Sequence, residues 1–232
     1  MRKKVTVITA CLLILSVSIF ALFGNHEKAS EGLEFTALDD NTASVSGIGE
    51  CKDQDIVIPS KTPDGKKVTA IADNAFEQNR DIRSVVIPDT VTDIGQMAFK
   101  DSYITDVRMS DSVTSIGHDA FRNCIMLHNV TLSGSLTVIA DRTFADCKDL
   151  RTIDLPPNLM EIRSGAFMGC AINEITIPDS VQTISSDAFY TNPLMIINGE
   201  DSLEWCERTG FHLNWIHYVN EDEKPDIEIN SE

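Results

Sequence analysis

Positive charge is scarce in this chain. Its 232 residues hold 19 Lys and Arg against 36 Asp and Glu, a formal charge of −17. Beyond residue 30 the balance is 15 basic to 35 acidic groups, or −20. A body that acidic repels phosphate backbones, which excludes nucleic acid as a partner. Twelve glycines are too few for a collagen-like or glycine-rich fibre. Catalytic signatures are missing too: there is no glycine-rich phosphate loop, no Gly-x-Ser-x-Gly elbow and no His-Glu-x-x-His pair. His118 and His128 fall in different parts of their repeats without a paired nucleophile. Cys206, His212 and His217 are close in sequence, but they sit in a capping segment and read as structural. No enzyme activity, cofactor or metal is expected. What is present is enough apolar surface for a core, 42% of residues, so wholesale disorder is excluded.

Arg2-Lys3-Lys4 precedes Val5 to Phe23, nineteen residues without a charge. A basic start before such a run is an export pattern. The run is long enough to span a bilayer, and Ala21-Leu22-Phe23 offers no small-x-small cleavage site. Residues 1–24 are therefore an export signal, cleaved or retained as an anchor, with 25–32 as a linker. The basic flank stays cytoplasmic and places the rest outside, at the cell surface or secreted.

The body is periodic. Phe76, Phe99, Phe121, Phe144, Phe167 and Phe189 recur every 22 or 23 residues. Eight residues before each stands Val68, Val91, Val113, Leu136, Leu159 or Val181; five before each is always isoleucine, Ile71, Ile94, Ile116, Ile139, Ile162 or Ile184. A fixed period of this length means a solenoid, in which stacked coils share one core. After each Phe comes an alternating apolar-polar-apolar trio, such as Val85-Val86-Ile87, Val107-Arg108-Met109, Val130-Thr131-Leu132, Ile153-Asp154-Leu155 and Ile175-Thr176-Ile177. That alternation predicts a half-buried strand in every copy. Cys124, Cys147 and Cys170 are spaced at 23, a repeat column and not a crosslink pattern; they read as free, buried thiols.

Val91-Thr-Asp-Ile-Gly-Gln-Met-Ala-Phe99, Val113-Thr-Ser-Ile-Gly-His-Asp-Ala-Phe-Arg-Asn-Cys124 and Ile175-Thr-Ile-Pro-Asp-Ser-Val-Gln-Thr-Ile184 resemble the BspA-type, or Treponema pallidum-type, leucine-rich repeat. The resemblance covers about residues 56 to 197. It implies a curved leucine-rich-repeat solenoid with a parallel strand sheet, mostly β within the α/β class. It further implies an exported surface protein tied to adhesion and host-protein binding, with no catalytic residue to transfer. The sequence departs where Ala72, Ala140, Arg163 and Ser185 replace the glycine after the isoleucine, which bears on turn detail.

Six repeats thus occupy 68–197, after a β-rich N-terminal cap over 33–67. A C-terminal cap follows over 198–218, with a short helix from Ser202 to Arg208 and Trp205 and Trp215 as a lid. Residues 219–232 form an acidic, disordered tail. Asn129-Val130-Thr131 is a glycosylation sequon, relevant only in a eukaryote.

Two functions fit: a protein-interaction module making weak or multivalent adhesive contacts to an extracellular protein or glycan, or a rigid spacer or envelope component without a specific ligand. The candidate binding face is the outward set of the strands: Ser84, Val86, Asp106, Arg108, Asn129, Thr131, Thr152, Asp154, Glu174 and Thr176. It is polar and without aromatics, and only Arg108 is a usual hot-spot type. Six or seven coils give a face of roughly 500 Å², against about 800 Å² per partner in a standard interface. Tight recognition by one copy is therefore not expected. The chain is expected to be a monomer whose only membrane contact is the N-terminal segment.

Overall fold

A computed structural model describes residues 28–193, 196–198, 200–201, 206 and 209. The export segment and the acidic tail lie outside these residues. So does the C-terminal helix expected over Ser202 to Arg208, apart from Cys206, and so do Trp205 and Trp215. Among the described residues no helix is long and apolar enough to cross a membrane.

The N-terminal region supplies β1 (Glu34–Ala37), β2 (Thr42–Gly47) and β3 (Asp55–Val57). Asp39 closes the β1–β2 turn by accepting both the Asn41 and the Thr42 N–H at 2.7 Å. The repeats then add β4 (Lys67–Ile71), β5 (Ser84–Ile87), β6 (Asp93–Ile94), β7 (Asp106–Met109), β8 (Ser115–Ile116), β9 (Asn129–Thr131), β10 (Val138–Ile139), β11 (Glu161–Ile162), β12 (Glu174–Ile175), β13 (Thr183–Ile184), β14 (Ile196–Ile197) and β15 (Glu200–Asp201). The result is a mostly-β solenoid of about 7 turns.

Two parallel ladders run along the stack. The Val-x-x-Ile and Leu-x-x-Ile pieces stack on the N-terminal strand β2 to build the first, β2-β4-β6-β8 and then β10-β11-β13, with β1 lying antiparallel on β2 at its open edge. The apolar-polar-apolar trios build the second, β3-β5-β7-β9, with β12, β14 and β15 as a separate sheet. The strand expected at Ile153–Leu155 is absent. Ile153 is buried and Asp154 exposed, so the alternation survives without a strand. Pro156 and Pro157 follow it and remove two successive backbone donors, where Pro88 and Pro178 remove one.

Both ladders are interrupted at the same level, between β8 and β10 and beyond β9. In the first ladder this is where the glycines end. An added Cβ on Gly117 would stand 2.6 Å from the Gln96 nitrogen of the preceding coil, so those coils approach backbone to backbone. Ala140 occupies the next equivalent position, but Arg163 and Ser185 also carry side chains there and still donate to Ile139 O and Ile162 O at 3.0 and 2.9 Å, so the loss of glycine does not by itself account for the break.

The core is the set of repeat columns. All six phenylalanines are buried, as are all but one of the six column isoleucines; Ile184 is partly buried. The rings form one continuous stack, with centroids 5.0 to 5.6 Å apart and planes within 16° of parallel. That spacing is the coil rise, and it lies in the favourable range for offset aromatic pairs. Thr143, the one non-alanine before a Phe, is also buried and satisfies its hydroxyl on the Ala140 carbonyl at 2.9 Å.

A candidate binding face and the corner that supports it

The second ladder brings part of the candidate face together. Ser84, Asp106 and Asn129 are direct register partners, and Val86, Arg108 and Thr131 form the next row. Ser84 donates to Asp55 Oδ1 at 2.6 Å; Asn129 Nδ2 donates to Asp106 Oδ1 at 2.7 Å. Thr105 donates to the other Asp106 oxygen at 2.6 Å. These bonds hold the carboxylates in fixed positions instead of leaving them free in solvent. Arg108, Asn129 and Thr131 are exposed; Val86 and Asp106 are half-buried. Thr152 and Asp154 are exposed too, but on the segment that forms no strand. Glu174 and Thr176 are exposed at the separate sheet, where Glu174 pairs in register with Ile196. The face is thus one compact patch on β5, β7 and β9, with two outlying pairs.

The Phe corner carries a third ladder that the sequence did not announce. At Phe121 the N–H donates to Thr143 O at 2.9 Å, with Asp119 N–H to Asp141 O at 3.0 Å and Asn123 N–H to Ala145 O at 2.7 Å on either side. The same triplet recurs at Phe76, Phe99 and Phe144. Alternate donors all face the next coil because the residues two before and two after Phe are left-handed. Their φ is 52–61° at Asn74, Gln78, Met97, Asp101, Asp119, Asn123, Arg142, Asp146 and Thr191, and 60° and 70° at Gly165 and Gly169. Asn and Asp tolerate that region, which was the available signal; Met, Arg and Thr do not advertise it.

The third residue after Phe seals this corner. Cys124, Cys147 and Cys170 donate from sulfur to the carbonyls of Phe99, Phe121 and Phe144 at 3.0 to 3.1 Å. Asn192 does the same for Phe167 at 2.7 Å. The thiols are free and buried. Burial pushes Cys124 up to about 12, with the Ser102 hydroxyl pulling weakly the other way. Burial likewise raises Cys147 well above its ordinary value. These are hydrogen-bonding core thiols and not nucleophiles. Among the described residues, no group of three or more His, Cys, Asp or Glu is placed to hold a metal ion.

Asp119 is the one buried carboxylate in the described core. Arg142 of the next coil binds it through two nitrogens, at 2.9 and 3.0 Å, with Arg122 at 3.4 Å and His118 Nδ1 at 3.0 Å. Burial alone would raise its pKa; the hydrogen bonds from Arg142 and His118 outweigh that and hold the carboxyl below its usual value. The cluster spans the level at which both β ladders are interrupted.

Six copies of the BspA-type leucine-rich repeat region match residues 69–195, more than half of the chain. The chain belongs to the BspA-type leucine-rich repeat family. Solved structures agree with that membership. The Treponema pallidum leucine-rich repeat protein is 28% identical with a TM-score of 0.59, over 66% of this chain and 72% of that one. A leucine-rich cell surface protein of Faecalibacterium prausnitzii is 28% identical with a TM-score of 0.53, over 76% of this chain and 56% of that one. A Bacteroides ovatus leucine-rich repeat protein is 27% identical with a TM-score of 0.52, over 74% and 40%. The chain therefore spans less than two thirds of the latter two. No curated protein matches it. It is a leucine-rich-repeat module, a class that is generally protein-interacting or surface-associated.

Proposed function

We propose that this BspA-type chain is an exported, surface-displayed, non-enzymatic binding module that makes weak, multivalent contacts with an extracellular protein or glycan through the β5–β7–β9 face. The observation that carries this reading is the pair of in-register rows, Ser84–Asp106–Asn129 and Val86–Arg108–Thr131, over a fixed core. Core-facing positions of a repeat are constrained by stacking, while outward positions are free to be shaped by a partner. Arg108 and the carboxylates of Asp106, Asp154 and Glu174 favour a partner with alternating basic or amide groups and an acidic contact for the guanidinium. The cell-surface relative supports display outside the cell. A face of roughly 500 Å² is below the standard interface, so avidity from many displayed copies supplies the strength.

The test is binding of the soluble body to surface ligands with Arg108→Glu, Asp154→Lys and, as a control on the other ladder, Asp93→Lys. Loss with the first two, retention with the control and weakening by salt are the expected results, since exposed pairs are screened beyond about 8 Å at physiological ionic strength. Loss with the control alone places the contact elsewhere. If no ligand binds and deletion of the protein only alters envelope integrity, the chain is a spacer.

A further inference from the structure

Away from the strand face, two outward columns beside the Phe corner enclose a groove of about 340 Å³. One wall is Gln78, Asp101 and Asn123, two residues after successive phenylalanines; the other is Arg80, Tyr103 and Ile125, two residues further on. Between them Ser102 and Cys124 turn into the core, so both walls stand on fixed backbone. We propose that this groove binds an uncharged saccharide.

Length comes first. Three coils at about 4.8 Å separate the outer members by roughly 10 Å, the span of two pyranose rings. The volume lies at the small end of ligand sites and suits the same size. Polar chemistry comes next. Asn123 Nδ2 donates to Asp101 Oδ1 at 2.6 Å, which fixes an amide and a carboxylate side by side. Such planar groups bind pairs of neighbouring hydroxyls, donating to one and accepting from the other. Arg80 stands 5.4 Å over the Tyr103 ring, so its donors are held in place as well. Among the described residues neither the Gln78 amide side chain nor the Tyr103 hydroxyl has a hydrogen-bond partner in the protein, so both are available to a ligand. The apolar Ile125 side chain, 39% exposed, and the Tyr103 ring offer surface for the C–H face of a sugar.

Charge decides the class. The groove lining holds one charge of each sign, Arg80 and Asp101, and the Asp101 carboxylate is further offset by Lys100 Nζ at 3.7 Å, while the surrounding body is strongly acidic. An anionic ligand is repelled by that body, and a cationic one meets no uncompensated carboxylate. A peptide needs buried apolar anchors, and Ile125 alone does not make one. An open, polar, neutral groove fits a neutral sugar with modest affinity.

The experiment is a glycan array probed with the whole soluble protein, carrying neutral, sialylated and sulfated oligosaccharides. Titration with lactose, cellobiose, maltose and chitobiose, followed by NMR, accompanies it. The expected result is binding of at least one neutral glycan, with shifts at Tyr103, Ile125 and Asn123. Tyr103→Phe and Gln78→Ala should each weaken it by about tenfold, the effect of one ligand hydrogen bond. Both changes should leave the melting temperature unchanged, because neither removes a core contact. Arg108→Glu should leave sugar binding intact, which separates this site from the strand face. Silence of all neutral glycans, preference for anionic glycans, insensitivity to Tyr103→Phe, or shifts confined to β5, β7 and β9 would each overturn the proposal.

Discussion

Phe144 lies between Phe121 and Phe167, its centroid 5.3 and 5.6 Å from theirs, and has no solvent exposure. Truncation there opens a cavity walled by two rings that the ladders hold apart, so collapse is limited. Phe144→Ala is expected to lower unfolding free energy by about 3–5 kcal/mol in urea titration. A loss below about 1 kcal/mol would show that the phenylalanine column is not the core. Asp119 is a different case, a buried charge held by partners that remain partly in water. Its folded carboxyl resists protonation more than its unfolded one. The resulting stabilisation is complete above the ordinary value of 3.8 and is lost as pH falls through the lower folded value. Asp119→Asn is expected to destabilise by about 1–3 kcal/mol at neutral pH. Urea midpoints should show the gap to the unsubstituted protein closing as the pH falls below the carboxylate range. A gap independent of pH would mean that Asp119 acts through shape and not charge.

At the scale of elements, strands of two residues cannot hold a coil by themselves. β4–β6, β6–β8, β10–β11 and β11–β13 are each a pairing of two residues, and the corner ladder contributes three bonds per coil at four of the phenylalanines. Alternating left-handed residues allow it, at a conformational cost of about 1–2 kcal/mol for each non-glycine. The hydrogen bonds and the ring stack offset that strain, which is why Met97 and Arg142 are tolerated there. Gly117 tests the spacing between elements. Its N–H donates to Ile94 O at 2.8 Å, and a Cβ would meet the Gln96 backbone, which has no flexible end to move. Gly117→Ala is expected to destabilise by about 1–3 kcal/mol, read as a lower urea midpoint. An unchanged midpoint would show that the coils separate at no expense.

Over the whole molecule, stability of a repeat stack is a sum of coil and neighbour terms. The neighbour term is weakest where both β ladders stop, since the coils there are joined by the ring stack, the corner ladder and the Asp119–Arg142 pair. The intact protein is expected to melt as one unit, with calorimetric and van't Hoff enthalpies equal. Arg142→Ala removes the pair while leaving the ladders on either side untouched. Its expected effect is a broadened or split transition, with hydrogen exchange at Phe144 to Phe189 uncoupled from that at Phe76 to Phe121. A single sharp transition at lower temperature would show that the pair stabilises the stack without joining its halves.

The period, the core columns and the fold family could be read from the sequence, because stacking makes every coil answer to the same apolar pattern. Phe, Ile and the buried cysteines stand at positions that the 22–23-residue spacing already specifies. The outward rows on β5, β7 and β9 followed from two-residue alternation. Where that rule met Pro156-Pro157 it gave a strand that does not form, since alternation marks burial and not pairing. The remaining features depend on distances between coils, and a period states which residues stack without stating how closely. Gly117 meets the Gln96 backbone closely, and the break between β8 and β10 falls just beyond it, neither of which the period states. Asp119 finds Arg142 only because residues 23 apart become neighbours, and Gln78, Arg80 and Tyr103 share a groove for the same reason. Sequence determined what lies inside each coil; tertiary structure decided how each coil meets the next.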